Sequence, residues 1–150
     1  MAKLRKVHTE GETAASPAAV YALLRDGSTW PVWTDISTFA LEREGAGERE
    51  GLGAIRVWES KGKTLREEIV ELVPERRFSY TLLSGLAIRD YRADVDLEPT
   101  PSGGCRIRWR SSFTAKVPGT GRAYEKALQQ ATEGFVAGLA THALADTDSA

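Results

Sequence analysis

The sequence predicts an α+β domain in which an antiparallel β-sheet is covered by a long carboxy-terminal helix. Two observations lead to this class. Hydrophobic periodicity changes from helical to alternating at about residue 37, and the alternation continues to about residue 115. An amphipathic stretch then runs from after Gly119 to about Ala143. Because 150 residues is the length of one ordinary domain, we expect residues 1–150 to form a single domain.

Two short helices are predicted before the sheet. Ser16 is a good N-cap and Pro17 suits the first helical position, so a helix is expected from there to Arg25. The next segment, STWPVWTD over residues 28–35, contains two of the four tryptophans. Pro31 in the first turn of this segment indicates a second, shorter helix.

The sheet is predicted from six strand-like runs, each closed by turn residues. These runs are Phe39 to Glu44, Gly53 to Glu59, Thr64 to Val73, Arg77 to Leu83, Arg89 to Glu98 and Cys105 to about Ala115. The connections are too short for parallel crossovers, so we expect an antiparallel meander. A weaker strand pattern over Val7 to Thr13 precedes the helices.

The last hairpin shows the clearest alternation. One face is apolar, through Tyr91, Ala93, Val95, Leu97, Ile107, Trp109 and Phe113. A turn centred near residues 101–102 places Asp96 opposite Arg106 and Asp94 opposite Arg108. Opposite charges across strands fix the register and keep that face in water. The apolar face must therefore be covered by the carboxy-terminal helix.

Charge and composition exclude several classes of partner. Twenty basic and 21 acidic residues give a net charge of −1, which offers no general attraction for nucleic acid. The stripe Arg106, Arg108 and Arg110 is neutralised by Asp94, Asp96 and Glu98 on the neighbouring strand. No stretch approaches the roughly 20 apolar residues of a membrane span, and no signal peptide is visible. The single cysteine, Cys105, excludes an intramolecular disulfide, and we expect a cytoplasmic protein.

The carboxy-terminal helix carries a stripe of small residues on its apolar arc: Ala127, Ala131, Gly134 and Gly138. Either the helix packs closely on the sheet along this stripe, or the missing side chains leave a cavity. The inner face of the sheet carries bulky rings at Phe78, Tyr80, Tyr91, Trp109 and Phe113. These rings oppose close packing over the whole helix and favour a cavity along part of it.

Three segments carry a resemblance to a known superfamily. They are TAASPAAVYALLRD followed by WPVWTD, then VELVPERRFSYTLLSGLAIRDYRADVDLEP, and finally RIRWRSSFTAKVPGTGRAYEKAL. From about Val7 to His142 the chain resembles the helix-grip fold of the START and Bet v 1-like (SRPBCC) superfamily, and most of all its bacterial polyketide cyclase/dehydrase-like group. The resemblance implies six to seven curved strands wrapped around the long helix. It also implies a hollow that binds a small or medium hydrophobic molecule, such as a lipid, polyketide or aromatic compound.

The expected ligand-binding residues combine this implied hollow with the inward faces of the predicted elements. They are Trp33, Val57, Phe78, Tyr80, Tyr91, Val95, Trp109, Phe113, Ala131, Phe135 and Gly138. On this resemblance Trp33 is preferred as the cavity-wall ring and either touches the ligand or fills the core, whereas Trp30 either faces the hollow as well or ties the short helices to the sheet. Tyr80 and Tyr91 offer hydroxyl groups to a ligand carbonyl.

No strong catalytic motif is present, and neither a metal nor a cofactor is expected. Three weak catalytic candidates remain, each with a simpler alternative. His142 is a possible general base or a surface histidine at a helix end. Glu59 is a desolvated acid or a strand-end residue in water. Arg89 meets a ligand oxyanion or pairs with a neighbouring acid, Asp90 or Glu67.

Three functions follow from this sequence. The first is a non-catalytic binding or carrier module for a small hydrophobic molecule. The second is an enzyme of the polyketide cyclase, aromatase or dehydratase type. The third is a protein–protein adaptor in which the pocket is vestigial. The absence of a clustered set of catalytic side chains favours binding over catalysis, and the small-residue stripe favours binding over the adaptor; the oligomeric state is left open.

Overall fold

The computed structural model describes residues 3–149, with side chains described to residue 145. The described chain forms seven strands: β1 (Arg5–Thr13), β2 (Thr38–Arg43), β3 (Ile55–Ser60), β4 (Lys63–Val73), β5 (Arg77–Ser84), β6 (Ile88–Pro99) and β7 (Cys105–Ala115). Its helices are α1 (Pro17–Arg25), α2 (Trp30–Trp33) and α3 (Gly121–Ser149), with a single 3₁₀ turn at Gly27–Thr29. The predicted α+β class with a helix-grip arrangement is confirmed. Among these helices none has a stretch long and apolar enough to cross a bilayer.

All seven strands form one curved antiparallel sheet, with the spatial order β1-β7-β6-β5-β4-β3-β2. Strands β2 to β7 follow one another as the predicted meander. The weakly predicted first strand is also confirmed, and it extends the sheet by pairing with β7 along the full length of β1.

The predicted register of the β6–β7 hairpin is wrong by two residues. Asp96 lies opposite Arg108 and Asp94 lies opposite Arg110. The turn is centred later than expected because the backbone N–H of Thr100 bonds to the carbonyl of Gly104, which closes a loop over residues 100–104. Since the shift is an even number of residues, every side chain keeps its predicted face.

Both short helices form as predicted. The Ser16 hydroxyl accepts a hydrogen bond from the backbone N–H of Ala19 at 3.2 Å, which satisfies one of the free donors at the start of α1. Val20 and Leu24 of α1 are completely buried. Helix α2 is a single turn that buries both of its tryptophans, so it closes one end of the core.

Helix α3 lies along β1 and β7 and against α1 and α2. A Cβ atom added to Gly11 of β1 would come within 2.6 Å of Val136 Cγ1, so the helix approaches this strand closely. The Thr13 hydroxyl also donates to the carbonyl of Ala140 at 2.9 Å. Because α3 leans on this side of the sheet, its first half stands away from β3, β4 and β5.

The small residues of α3 do not share one environment. Gly138 is closely packed, since a Cβ there would overlap the carbonyl oxygen of Trp33. Gly134 is exposed, and an added Cβ would meet no atom within 4 Å. Ala127 and Ala131 border open space inside the fold. The expectation that Gly138 lines the hollow is therefore wrong: close packing holds at that end of the helix, and a cavity exists at the other.

Candidate functional site

A cavity of about 220 Å³ lies between strands β3 to β6 and the first half of α3. It is the space left where the helix diverges from the sheet. Its apolar lining comes from Trp30, Ile36, Trp58, Leu65, Leu82, Leu86, Leu128, Ala131 and Phe135. For comparison, an engineered apolar cavity of about 150 Å³ takes up benzene. The space therefore suits a molecule of one or two rings.

Stacked aromatic rings form one wall of the cavity. The rings of Trp30 and Trp58 are stacked at 28° with their centroids 4.9 Å apart. Trp33 lies beside Trp30, at a centroid distance of 4.7 Å, but does not line the cavity. Its indole N–H instead donates to the Thr29 hydroxyl at 3.1 Å. Of the two tryptophans in α2, Trp30 faces the hollow and Trp33 fills the core.

Behind this wall lies a buried arginine. The side chain of Arg56 is 2% exposed and its Nη2 atom lies 2.9 Å from a carboxyl oxygen of Glu50. The guanidinium also donates to the backbone carbonyls of Leu24, at 2.9 Å, and Arg25, at 2.6 Å. Burial lowers the pKa of Arg56 to about 10, although the negative charge of Glu50 acts in the opposite direction. Arg56 thus holds β3 against the end of α1 by satisfying carbonyls that the helix leaves free.

The predicted inward face of β3 is wrong. Arg56 and Trp58 point inward, so Val57 points to the outer face of the sheet and does not line the cavity. Glu59 is exposed and accepts a hydrogen bond from the Thr64 hydroxyl at 2.8 Å. The predicted alternation is one residue out of phase because a charged arginine is normally found in water. Here Glu50 and two carbonyls from α1 replace that water.

One carboxyl group lies in the cavity wall away from the mouth, and it belongs to Glu67 of β4. The indole N–H of Trp58 donates to its Oε1 atom at 2.8 Å. Burial raises the pKa of Glu67 to about 7, while the hydrogen bond from Trp58 and the charge of Arg56 partly oppose this rise. The sequence contained a signal for this residue, since Leu65, Glu67 and Ile69 alternate along one strand face.

Two tyrosines lie beside Glu67 and complete what we call the polar cluster: Glu67, Tyr80 and Tyr91. The ring centroids of the two tyrosines are 6.1 Å apart. Burial raises the pKa of Tyr91 to about 12 and that of Tyr80 well above its usual range, and the charge of Glu67 adds to both effects. Both phenols therefore stay protonated near neutral pH. Nearby, the buried Trp109 Nε1 and Ser111 Oγ atoms have no hydrogen bond of ordinary geometry to any described residue.

The remaining predicted binding residues divide between cavity and core. Tyr80, Tyr91, Ala131 and Phe135 line the cavity, and their contact with a ligand stays a prediction. Four others do not line it and are at most 1% exposed within the packed core: Phe78, Val95, Trp109 and Phe113. The sheet face was predicted correctly for these four, but the helices close onto the sheet there.

Two of the weak catalytic candidates also lie outside the cavity. His142 borders a surface groove beside Trp33 on another side of α3. Arg89 is exposed because a bulge between Arg89 and Arg92 interrupts the alternation, with Asp90 at a φ of 53°. Among the side chains that the structure describes, which end at residue 145, no group of three or more metal-ligating residues could hold a metal ion.

The cavity opens to solvent beside the β3–β4 turn. Lys61 and Asp35 face each other at this mouth, with Lys61 Nζ 3.3 Å from Asp35 Oδ2. Both side chains are more than half exposed. On the opposite side, the Tyr124 hydroxyl accepts a hydrogen bond from the backbone N–H of Ala87 at 3.3 Å. A solvated ion pair and a single tyrosine thus border the entrance.

Solved structures share this architecture at low sequence identity. A START superfamily protein from Mycobacterium smegmatis superimposes with a TM-score of 0.79 at 14% identity, covering 92% of this chain and 96% of that one. Norcoclaurine synthase from Thalictrum flavum, a point mutant in complex with a transition-state analogue, gives 0.78 at 14% identity, with 98% of both chains covered. A protein from Thermus thermophilus gives 0.74 at 23% identity, covering 95% of this chain and 99% of that one. These likenesses establish the fold alone.

Comparison at the sequence level identifies the family. Curated proteins give no significant match. The family model described as "Polyketide cyclase / dehydrase and lipid transport" matches residues 5–144, which span every strand, α1, α2 and most of α3. The suspected resemblance is thereby confirmed, and the chain belongs to the polyketide cyclase/dehydrase and lipid transport family.

Proposed function

We propose that this protein binds one small, largely apolar molecule of one or two rings in the cavity between β3–β6 and α3. The observation that carries this proposal is the cavity itself, whose 220 Å³ exceed what a benzene-sized guest needs. Ligand sites are typically apolar hollows with a few polar groups that fix orientation. The aromatic wall and the polar cluster match that description, and the lipid-transport part of the family's name agrees with it.

The walls supply affinity and the polar cluster supplies orientation. Burying a ring removes apolar surface from water and contributes about 25 cal/mol per Å². Trp30, Trp58 and Phe135 offer flat faces for this contact. Glu67, Tyr80 and Tyr91 would fix the polar end of the guest at the sheet.

Uptake of indole or naphthalene by the purified protein tests the proposal. Ala131 lines the cavity, so Ala131→Phe should fill it and abolish uptake measured by ligand-observed NMR. Ala137 lies on an exposed side of the same helix, outside the cavity. The matched variant Ala137→Phe should therefore bind like the wild type.

The two variants also define the result that would refute the proposal. If both bind indole as well as the wild type while their circular dichroism spectra stay unchanged, the guest does not occupy this cavity. As an independent test, native mass spectrometry of protein purified from its own host identifies the natural occupant through a co-purifying small molecule. Loss of that mass in Ala131→Phe, but not in Ala137→Phe, is the expected outcome.

An enzyme acting on the same guest is the second candidate, and Glu67 is the observation that favours it. A carboxyl group whose pKa lies near 7 can both accept and return a proton at neutral pH. Tyr80 and Tyr91 could donate hydrogen bonds to an oxyanion that develops on the substrate. Once the guest is identified, conversion by the wild type that is lost in Glu67→Gln, with binding retained, would establish this activity.

A further inference from the structure

Among the described residues, Glu67 has no counter-ion. None of the ion pairs there includes its carboxyl group, and its Oε2 atom accepts no hydrogen bond from the same part of the chain. Arg56 is the cation whose charge acts on it, but that guanidinium is engaged by Glu50 and by two backbone carbonyls. Glu67 is half-buried and lines the cavity, and a carboxylate with no protein cation of its own leaves a place there for a cation carried by a guest.

We propose that the cavity selects guests that carry a protonated amine, and that Glu67 is the counter-ion of that ammonium group. This proposal rests on the proposed function, because it assumes that the guest occupies the cavity. It adds the chemical class of the ligand: aromatic or other compact apolar amines with one positive charge.

The rings around Glu67 favour the same class. Trp30, Trp58, Tyr80 and Tyr91 all border the cavity. The face of an aromatic ring attracts a cation within about 6 Å of its centroid, and the attraction strengthens when water is excluded. A carboxylate that shares a cavity with such rings discriminates by charge, since it attracts an ammonium group and repels a carboxylate of the same size.

Of the other charged and titratable groups near the cavity, all but Lys63 are paired or neutral, and Lys63 is exposed to solvent at the mouth. Behind Trp58 lies the Arg56–Glu50 pair, and Tyr80 and Tyr91 stay protonated near neutral pH. The groups at the mouth and on α3 are Asp35, Lys61, Lys63 and Tyr124. Because Asp35 pairs with Lys61 in solvent, Glu67 is the acid left to change charge inside the hollow near pH 7.

The proposal fixes how binding depends on pH. An ammonium guest needs the ionised form of Glu67, whose pKa is raised to about 7 in the empty cavity. Its affinity should therefore fall as the pH drops below about 7, by up to about tenfold per pH unit. A neutral guest of the same shape needs no ionised carboxylate and should show no such fall.

Three probes of one shape test the charge preference: benzylamine, benzyl alcohol and benzoate. The resonance of the Trp58 indole N–H reports binding, since this group touches Glu67. Near pH 8, benzylamine should bind at least tenfold more tightly than benzyl alcohol, and benzoate should bind most weakly. Near pH 6, the advantage of benzylamine should shrink.

Two neighbouring variants separate this inference from the proposed function. Glu67→Gln keeps the shape and an acceptor oxygen for Trp58, and it should bind benzylamine and benzyl alcohol equally. Glu68→Gln lies one residue along β4 and does not line the cavity, so it should keep the wild-type preference. Equal binding of both probes to the wild type would overturn the amine proposal and leave the cavity function standing. Failure of every probe and of indole to bind would overturn both.

Discussion

The indole N–H of Trp58 on β3 donates a hydrogen bond of 2.8 Å to Glu67 Oε1 on the neighbouring strand β4. This contact fixes one oxygen of the carboxyl group against an aromatic wall and leaves the other without a hydrogen-bond donor among the described residues. Burial alone drives the pKa of Glu67 upward, and the N–H of Trp58 holds back part of that rise. Burial and this hydrogen bond therefore act together on whether the Glu67 carboxyl group is charged near neutral pH.

Replacing Trp58 with phenylalanine should raise the pKa of Glu67 above about 7, because the donor that stabilises the carboxylate is lost. The titration of the Glu67 carboxyl carbon by ¹³C NMR measures this shift. Trp33→Phe is the control, since Trp33 donates to Thr29 instead and should leave the titration unchanged. An unchanged or lower pKa in Trp58→Phe would show that the hydrogen bond has no such effect.

The raised pKa of Glu67 should also appear in the stability of the fold. The folded state holds the proton more tightly than the unfolded chain, whose carboxyl titrates near 4.5. The contribution of Glu67 to stability is therefore complete below about pH 4.5 and is lost as the pH rises to about 7. One pKa unit corresponds to about 1.4 kcal/mol, so the loss should be roughly 3 kcal/mol.

Urea unfolding of wild type and Glu67→Gln over this pH range isolates that loss. The difference in free energy of unfolding between the two proteins should move in favour of the variant as the pH rises, and then become constant above about pH 7. The free energy of unfolding of Glu68→Gln should change with pH as that of the wild type does. If the free energies of unfolding of wild type and Glu67→Gln instead change in parallel with pH, the prediction is contradicted.

Removing the Arg56 guanidinium should destabilise the fold strongly. Arg56→Met removes the cation that pairs with Glu50 and one donor from each of the carbonyls of Leu24 and Arg25, and breaking a buried pair in this way costs about 3–5 kcal/mol. Denaturant unfolding measures the change. Arg66→Met breaks an exposed ion pair with Glu42 and should cost far less. Similar losses of unfolding free energy in Arg56→Met and Arg66→Met would contradict the idea that the buried pair contributes more than the exposed one.

Gly134 and Gly138 of α3 should respond oppositely to alanine. Gly134→Ala meets open space in an exposed helix and should stabilise the protein by about 0.5–1 kcal/mol through helix propensity. Gly138→Ala would push its Cβ into the Trp33 carbonyl and should destabilise by about 1–3 kcal/mol. The melting temperatures of the two variants should therefore lie on opposite sides of the wild-type value. A higher melting temperature for Gly138→Ala than for the wild type would contradict the close contact between Gly138 and the Trp33 carbonyl.

The inward faces of β5, β6 and β7 could be predicted from alternation alone. Tyr80, Tyr91 and Trp109 point inward as expected, and the two-residue error in the β6–β7 register did not change this. A side-chain period of two makes the face insensitive to an even shift. A bulge does change it, and this explains why Arg89 lies outside although its spacing matched Tyr91.

The residues that shape the cavity were harder to predict. Sequence alone puts Arg56 in water, because its partners, Glu50 and the last carbonyls of α1, are brought to it only by folding. Because Arg56 is expected in water, the predicted inner face of β3 is reversed, and Trp58 is not identified as a residue of the cavity wall. Glu67 stands in an apolar alternation with Leu65 and Ile69, yet a lone carboxylate in such a pattern looks like an ordinary strand residue until its surroundings are known.

The sequence by itself determined the class of fold, the order of its elements, the inner face of most strands and the family. Local rules decide these features, because turn residues, helix caps and hydrophobic period act over a few neighbouring positions. Only the tertiary structure decided where α3 touches the sheet and where it stands apart. That separation depends on side-chain volumes contributed by distant segments, such as Val136 against Gly11 and Gly138 against Trp33, and it alone brings Glu67 into an aromatic hollow.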